Sequence, residues 1–326
     1  MLLSEQNIQD LRSLVPNGVK ERVALSAMSR WRIGGIADCL VTPACTEELA
    51  RVIRYLAENR LPYVIIGSTS NLLFSDQGLR AVCIQIGGRM SRYSIKRQSV
   101  WSQAGAWVPG FARNVARSGL SGIEHIAGIP GTLGGLVCMN GGSQRKNIGD
   151  HVSKVKTVNP AGEISCFYKN ECGFEYRRSN FQSNGHIIAE VELTFDEQKS
   201  YASIRDDMLK ILRARRNKFP QKKPNCGSTF ISNPEVYVKY GPPGQIIEEL
   251  GFKGFKIGDA EVSTVHANFI NNNGNAKASD VLRIIDVVQK RVKENTGFNM
   301  ISEVKYVTEF GEIKRASDIV KSETVT

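Results

Sequence analysis

The chain predicts an α+β protein whose helices and strands do not alternate regularly. Three observations carry that class. One strand–helix–strand unit stands near the start, but most later strand-like segments follow one another without an intervening helix. No Gly-x-Gly-x-x-Gly opens a helix after a first strand, so a doubly wound dinucleotide site is unsupported. A Lys/Pro-rich stretch at 218–224 then reads as a hinge before a further compact set of elements. A chain of 326 residues has room for two or three cores. Its 41% hydrophobic and 23% charged content is that of a folded globular protein.

After a short amphipathic lead-in, 37–42 reads as a strand. Thr46 is expected to cap a helix that sets Leu49, Val52, Ile53 and Leu56 on one face. The short apolar run 62–66 completes a β-α-β unit. It ends in Gly67-Ser-Thr-Ser-Asn71, a small polar turn where strand-end amides and hydroxyls suit a phosphate. Strands are expected at 81–86, 98–104, 153–159, 163–168 and 186–195, interrupted by a helix near 108–118 and by the stretch Gly122–Gly142. That stretch gathers six glycines around Pro130, from Gly128 to Gly142. Such a loop brings backbone close to a ligand, and amides left pointing outward form a nest for an anion such as a pyrophosphate.

Residues 200–217 read as a helix with Ile204, Met208, Leu209 and Leu212 on one side. Beyond the hinge the spacing predicts a strand at 227–232, a helix at 244–250 and a strand at 267–272. A helix at 277–295 and a strand at 301–307 complete the set. The 277–295 helix carries a core stripe of Val281, Ile284, Ile285, Val288 and Val292. The polar tail after Gly311 is expected to fray.

Composition narrows the function classes. The net charge of +11 includes a basic cluster, Arg213–Lys223, expected on its own to be a solvated linker. No aromatic RNA platform, basic zipper or zinc finger accompanies it, so nucleic acid is not the expected partner; polyanionic small molecules explain the charge as well. The first ten residues lack a basic and apolar leader, and no apolar run reaches membrane-spanning length. A soluble, cytoplasmic protein with no membrane partner is expected. Seven cysteines without a C-x-x-C pair read as reduced thiols, and four histidines without paired spacing give no metal site. Cys226 has no histidine beside it in sequence, which argues against a nucleophile.

Three short segments hold residues suited to chemistry. Cys172–Phe181 contains Arg177 and Arg178; an arginine grips a carboxylate through two parallel hydrogen bonds, and two adjacent ones point apart, so at most one faces a site. Asn225–Pro234 carries Ser228 directly after a glycine, outside any Gly-x-Ser-x-Gly elbow, so hydrolase chemistry is not expected; a serine hydroxyl can still donate a proton where something stabilises it, but spacing alone does not point to that role. Ile301–Lys305 places Glu303 in a strand pattern among apolar residues, where a carboxyl is either paired or tuned for proton work.

Taken in order, eight motifs resemble the UDP-N-acetylenolpyruvoylglucosamine reductases, the MurB-type flavoenzymes of peptidoglycan precursor synthesis. They are Trp31-Arg-Ile-Gly-Gly-Ile-Ala-Asp38, Ile66-Gly-Ser-Thr-Ser-Asn-Leu-Leu73, Ala127–Gly135 with Met139-Asn140, and Tyr176-Arg-Arg-Ser179. Gly227–Phe230, Ile247–Gly254, Val262–Phe269 and Ser302–Val304 follow. The resemblance implies a two-subdomain FAD-binding fold of the PCMH (vanillyl-alcohol-oxidase) type over 1–76 and 77–217. A smaller α/β substrate-binding domain over 218–308 and a tail over 309–326 complete the division.

It further implies noncovalent FAD, with Arg32, Ile33, Gly34 and Gly35, the turn Gly67, Ser68, Thr69, Ser70 and Asn71, and the loop Gly128, Ile129, Pro130, Gly131, Thr132 and Gly135 as its contacts. NADPH is the implied hydride donor. Arg177 and Glu303 would act on the substrate carboxylate, and Ser228 would deliver the proton. Tyr176, Asn140, His266 and Asn268 would contact a nucleotide-sugar substrate, and the chain would be a monomer or weak homo-oligomer. The short connection from Tyr176 to Ser228 resembles the type II form.

Two stretches depart from the family pattern. Gly67-Ser-Thr-Ser-Asn71 stands where Gly-Gly-Gly-Ser-Asn or Gly-Asn-Gly-Ser-Asn is common, and Gly141–Gly149 is bulkier and more basic than the usual Ala-Gly-Ala-Tyr-Gly run. Two other readings therefore stay open here: a paralogue of the same fold acting on another nucleotide sugar or alcohol, and a catalytically silent nucleotide-binding protein.

Overall fold

The structure, a computed structural model, describes residues 3–323. They form two compact units. One is built from the chain up to Glu21, from Cys39–Ser68 and from Val82–Arg215; the other from Arg22–Asp38, Thr69–Ala81 and the chain from Arg216 onward. The N-terminal part is thus cut differently from the sequential segments 1–76 and 77–217. The reason lies in the core of the second unit, where Trp31, Ile33 and Leu73 are buried with Val281, Ile284 and Ile285.

The first unit centres on a five-stranded antiparallel sheet in the order Ile164–Tyr168, Val152–Val158, Ile187–Thr194, Ser99–Gln103, Tyr93–Lys96. Val191 sits opposite Val155 on one side and Ser102 on the other. Helix Thr46–Glu58 lies against this sheet and buries Leu49, Val52, Ile53 and Leu56 as its period requires. Its cap is Cys45, not Thr46: the Cys45 sulfur accepts from the Glu48 N–H at 3.5 Å. The Thr46 hydroxyl is spent instead on the buried Glu190 carboxylate. The expected β-α-β unit is present, but Leu79–Gln85 lies between its strands, pairing in parallel with Tyr63–Ile66.

In the second unit, helix Ala278–Thr296 buries the whole expected stripe from Val281 to Val292. Its first turn is satisfied from outside, since the Asp76 carboxylate accepts from the N–H groups of Ala278 and Ser279 at 2.7 and 3.1 Å. A three-stranded sheet runs Ile313–Arg315, Lys305–Val307, Leu72–Phe74, the last pair parallel.

Three expectations are corrected here. The tail does not fray over 313–323: it forms strand Ile313–Arg315 and helix Ala316–Glu323, and buried Ser317 exchanges hydrogen bonds with Ser302. Residues 324–326 of the expected tail lie outside the described residues. The strand expected at 227–232 is reduced to one bridge, Phe230 to Ser302, with positive φ at Gly227 bending the chain beforehand. The basic cluster is also no simple linker, because helix Tyr201–Lys218 runs through its first half.

Among the described residues, no helix is long and apolar enough to cross a membrane.

Candidate active site

The segments expected to hold FAD are shaped by unusual backbone. Arg32 and Thr69 both adopt positive φ, +57° and +53°. Non-glycine residues rarely do so, and such strain gathers at ligand-binding positions. A Cβ at Gly35 would collide with the backbone of Asp76 and Gly78, so only glycine lets the Arg32–Gly35 loop close on the 75–78 turn. The loop is fixed from behind: the Trp31 indole donates to the Ile270 carbonyl at 2.7 Å, and the Asn272 side-chain amide donates to the Trp31 carbonyl at 2.9 Å.

The segments that carry Ser228 and Glu303 are paired through the backbone, with Phe230 opposite Ser302. The Glu303 N–H donates to the Thr229 carbonyl at 2.8 Å, and the Ile231 N–H donates to the Ile301 carbonyl at 3.0 Å. Both residues are half-buried. Asn268, expected against substrate, has one acceptor and one donor engaged on backbone. Its side-chain oxygen accepts from the Phe230 N–H at 2.9 Å and its nitrogen donates to the Phe230 carbonyl at 3.0 Å. It braces the segment that carries Ser228.

His266 accepts the Asn268 N–H on Nδ1 at 3.2 Å. Burial, then Lys218, hold its imidazole below the usual range. The neutral ring therefore carries its proton on Nε2 and offers a donor there.

In the first unit, Arg177 also adopts positive φ, +56°, at the corner of a tight turn closed by reciprocal backbone bonds between Glu175 and Arg178. This turn is docked on residues 138–149. Arg177 Nη2 donates to the Gly142 carbonyl at 3.2 Å, and the Ser179 hydroxyl to the Cys138 carbonyl at 2.6 Å. Asn140, also expected against substrate, uses its amide on the Glu175 carbonyl and the Gly149 N–H, at 2.8 and 3.0 Å. It too is a brace. Arg178 is exposed and pairs with Glu175 at 3.3 Å, so Arg177 is the inward member of the pair. Tyr176 stands 59% exposed, with the Arg177 guanidinium over its ring.

The glycine-rich loop is less open than the nest reading expected. The amides of Leu133 and Gly134 donate to the carbonyls of Ala106 and Ala104, and the Gly135 amide to the Thr132 hydroxyl. A Cβ at Gly67 would run into that same hydroxyl. At Gly128 a Cβ would meet Arg215 Cδ at 2.6 Å. Burial, then the neighbouring Arg177, push the Arg215 guanidinium below its ordinary range. Sequence reasoning missed Arg215 by grouping it with a solvated basic run; its position on the helix Tyr201–Lys218, three residues past Leu212, was the available signal.

Cys226 is a packing residue. Burial raises its thiol to about 12, and its single S–H lies 3.5 Å from each of the Thr69 and Leu72 carbonyls, which share it. Among the described residues there is no cluster of three side chains fit to hold a metal.

These features fit a dinucleotide cofactor: a small-residue turn at a strand end, a neighbouring loop held at positive φ, and glycines with no room for a side chain. Residues 37–166 match the family described as FAD binding domain. The class is therefore that of the FAD-dependent oxidoreductases. Residues 219–307 match UDP-N-acetylenolpyruvoylglucosamine reductase, C-terminal domain. UDP-N-acetylenolpyruvoylglucosamine reductase 1 of Corynebacterium glutamicum is 42% identical over 297 residues, covering 91% of this chain and 88% of that protein. The reductase of Syntrophomonas wolfei is 36% identical, covering 91% and 97%. The crystal structure of the Thermus caldophilus enzyme superposes with a TM-score of 0.74 at 33% identity, covering 88% of this chain and 98% of that one. The chain belongs to the UDP-N-acetylenolpyruvoylglucosamine reductase family.

Proposed function

We propose that the protein reduces UDP-N-acetylenolpyruvoylglucosamine to UDP-N-acetylmuramate with NADPH, in the cytoplasm, as a step of peptidoglycan precursor synthesis. The observation that carries this reading is the backbone pairing of the Ser228 segment with the Glu303 segment in a chain of this family. In functional terms 1–76 and 77–217 would serve FAD and 218–308 the substrate.

FAD, which Arg32–Gly35, Gly67–Asn71 and the Gly128–Gly135 loop would hold, would supply the hydride chemistry between NADPH and the terminal vinyl carbon of the substrate. Hydride addition at that carbon leaves negative charge on the α-carbon and carboxylate. Arg177 would hold the carboxylate; its bond to the Gly142 carbonyl orients the planar fork. Glu303 would stabilise the enol form. Ser228 would give its hydroxyl proton to the α-carbon, which is feasible because an enolate is a strong base. Preorganised groups of this kind are each worth about 3–4 kcal/mol. His266, with Nε2 as donor, suits an acceptor on the nucleotide sugar.

The net charge of +11 would serve a polyanionic small molecule and not nucleic acid. A monomer or weak homo-oligomer is the proposed state. The two braces at Asn140 and Asn268 support the reading, since both immobilise segments bearing proposed catalytic groups.

The test is turnover by the FAD-loaded protein under anaerobic conditions, followed by mass analysis. NADPH should bleach the flavin, substrate should restore its colour, and the product should be heavier by two hydrogens. Bleaching without restoration by this substrate would overturn the assignment.

A further inference from the structure

Thr69 is the sharpest departure within the turn Gly67–Asn71, since it holds a positive φ of +53° with a β-branched side chain. The residue is 3% exposed, so the hydroxyl is not presented outward. The hydroxyl donates to the Met28 carbonyl at 3.0 Å and accepts from the Arg30 N–H at 3.2 Å. A hydroxyl has one proton and two lone pairs. The proton and one lone pair are therefore engaged on the Met28–Arg30 segment. Two residues later comes Arg32, itself at positive φ, and the Trp31 carbonyl and indole are held by Asn272 and Ile270 on the other side.

We infer that Thr69 is a positioning residue for the cofactor: its hydroxyl clasps the Met28–Arg32 segment to the phosphate turn, and it does not serve as a phosphate ligand. A glycine would relax the turn without strain but would leave the Arg30 N–H and the Met28 carbonyl without this tie. With threonine the turn and the Arg32 loop are set as one piece before the cofactor arrives, which lowers the ordering cost of binding. The inference rests on the assignment of Arg32 and the turn to FAD.

The experiment measures FAD dissociation constants and release rates on apo-protein by flavin fluorescence, beside the melting temperature of each apo-variant. Thr69→Gly should weaken FAD roughly tenfold, the equivalent of one or two modest hydrogen bonds. Thr69→Ser, which keeps the hydroxyl, should recover most of that loss. The decisive comparison is with Arg32→Ala. If the hydroxyl acts through the loop, adding Thr69→Gly to Arg32→Ala should cost little more than Arg32→Ala alone.

Additive losses would show that Thr69 acts independently of the loop and would overturn the inference. Unchanged FAD affinity in Thr69→Gly, or a loss of apo-protein stability with no change in affinity, would overturn it too. A wild-type chain that bound no FAD would instead sink the functional reading.

Discussion

Asn268→Ala separates bracing from substrate contact at one position. The Asn268 amide meets both backbone groups of Phe230 at 2.9 and 3.0 Å, and the residue is 6% exposed. Alanine would strand a buried N–H and a buried carbonyl, each costing about 1–3 kcal/mol when unmet. Water admitted to the vacated space recovers part of that, so the expected loss is about 2–4 kcal/mol, read from urea unfolding of the apo-protein. The same change releases the segment that carries Ser228. Loss of its placement should lower kcat by about tenfold to a hundredfold with a smaller change in KM. A variant with wild-type stability and a raised KM would refute the bracing argument, because that is the signature of a lost substrate contact.

The remaining predictions concern four other positions. His125 is buried, and burial, then His151 and Lys146, hold its imidazole down to about 4 despite Glu124 and Asp150. A depressed histidine pKa means the stability it supports is complete above about pH 6.5 and is lost as pH falls toward 4, at up to about 1.4 kcal/mol per pH unit. His125→Gln should flatten that part of the pH–stability curve; an unchanged slope would show that other groups set it. Gly67→Ala drives a methyl into the Thr132 hydroxyl, so the purified variant should lose most of its flavin on gel filtration, and full retention would contradict the packing argument. Cys226 should resist alkylation at pH 8 in the folded protein, since its thiol is raised to about 12; rapid labelling would speak against that burial. Arg178→Ala should leave turnover within about twofold, as expected of an exposed ion pair, while a large loss would exchange the roles of the two arginines.

Periodic elements were legible from sequence because one face of each must be apolar. The stripe from Val281 to Val292 and the face from Leu49 to Leu56 are buried as their spacing requires. That Arg22–Asp38 and Thr69–Ala81 group with the chain from Arg216 onward was not legible. It depends on contacts such as Trp31 to Ile270, separated by 239 positions, which no local pattern encodes. The same limit explains the two asparagines. A polar residue beside a motif reads as a ligand contact, and only the folded chain reveals that Asn140 and Asn268 each spend one donor and one acceptor on nearby backbone. Arg215 escaped for the opposite reason, its helix position being masked by the charge run around it. The tail misled because its short apolar positions, Ile313 and Ala316, gain meaning only beside the strand Lys305–Val307 and the buried Ser302.

The most direct test of the proposed chemistry is a two-stage anaerobic stopped-flow measurement on FAD-loaded Ser228→Ala. NADPH should bleach the flavin at the wild-type rate, because Ser228 is assigned no part in that half-reaction. Recolouring by UDP-N-acetylenolpyruvoylglucosamine should then slow by about a hundredfold or more, the scale of one lost proton donor. Recolouring at the wild-type rate would contradict the role given to Ser228 and, with it, the account of the Ser228–Glu303 pairing as catalytic.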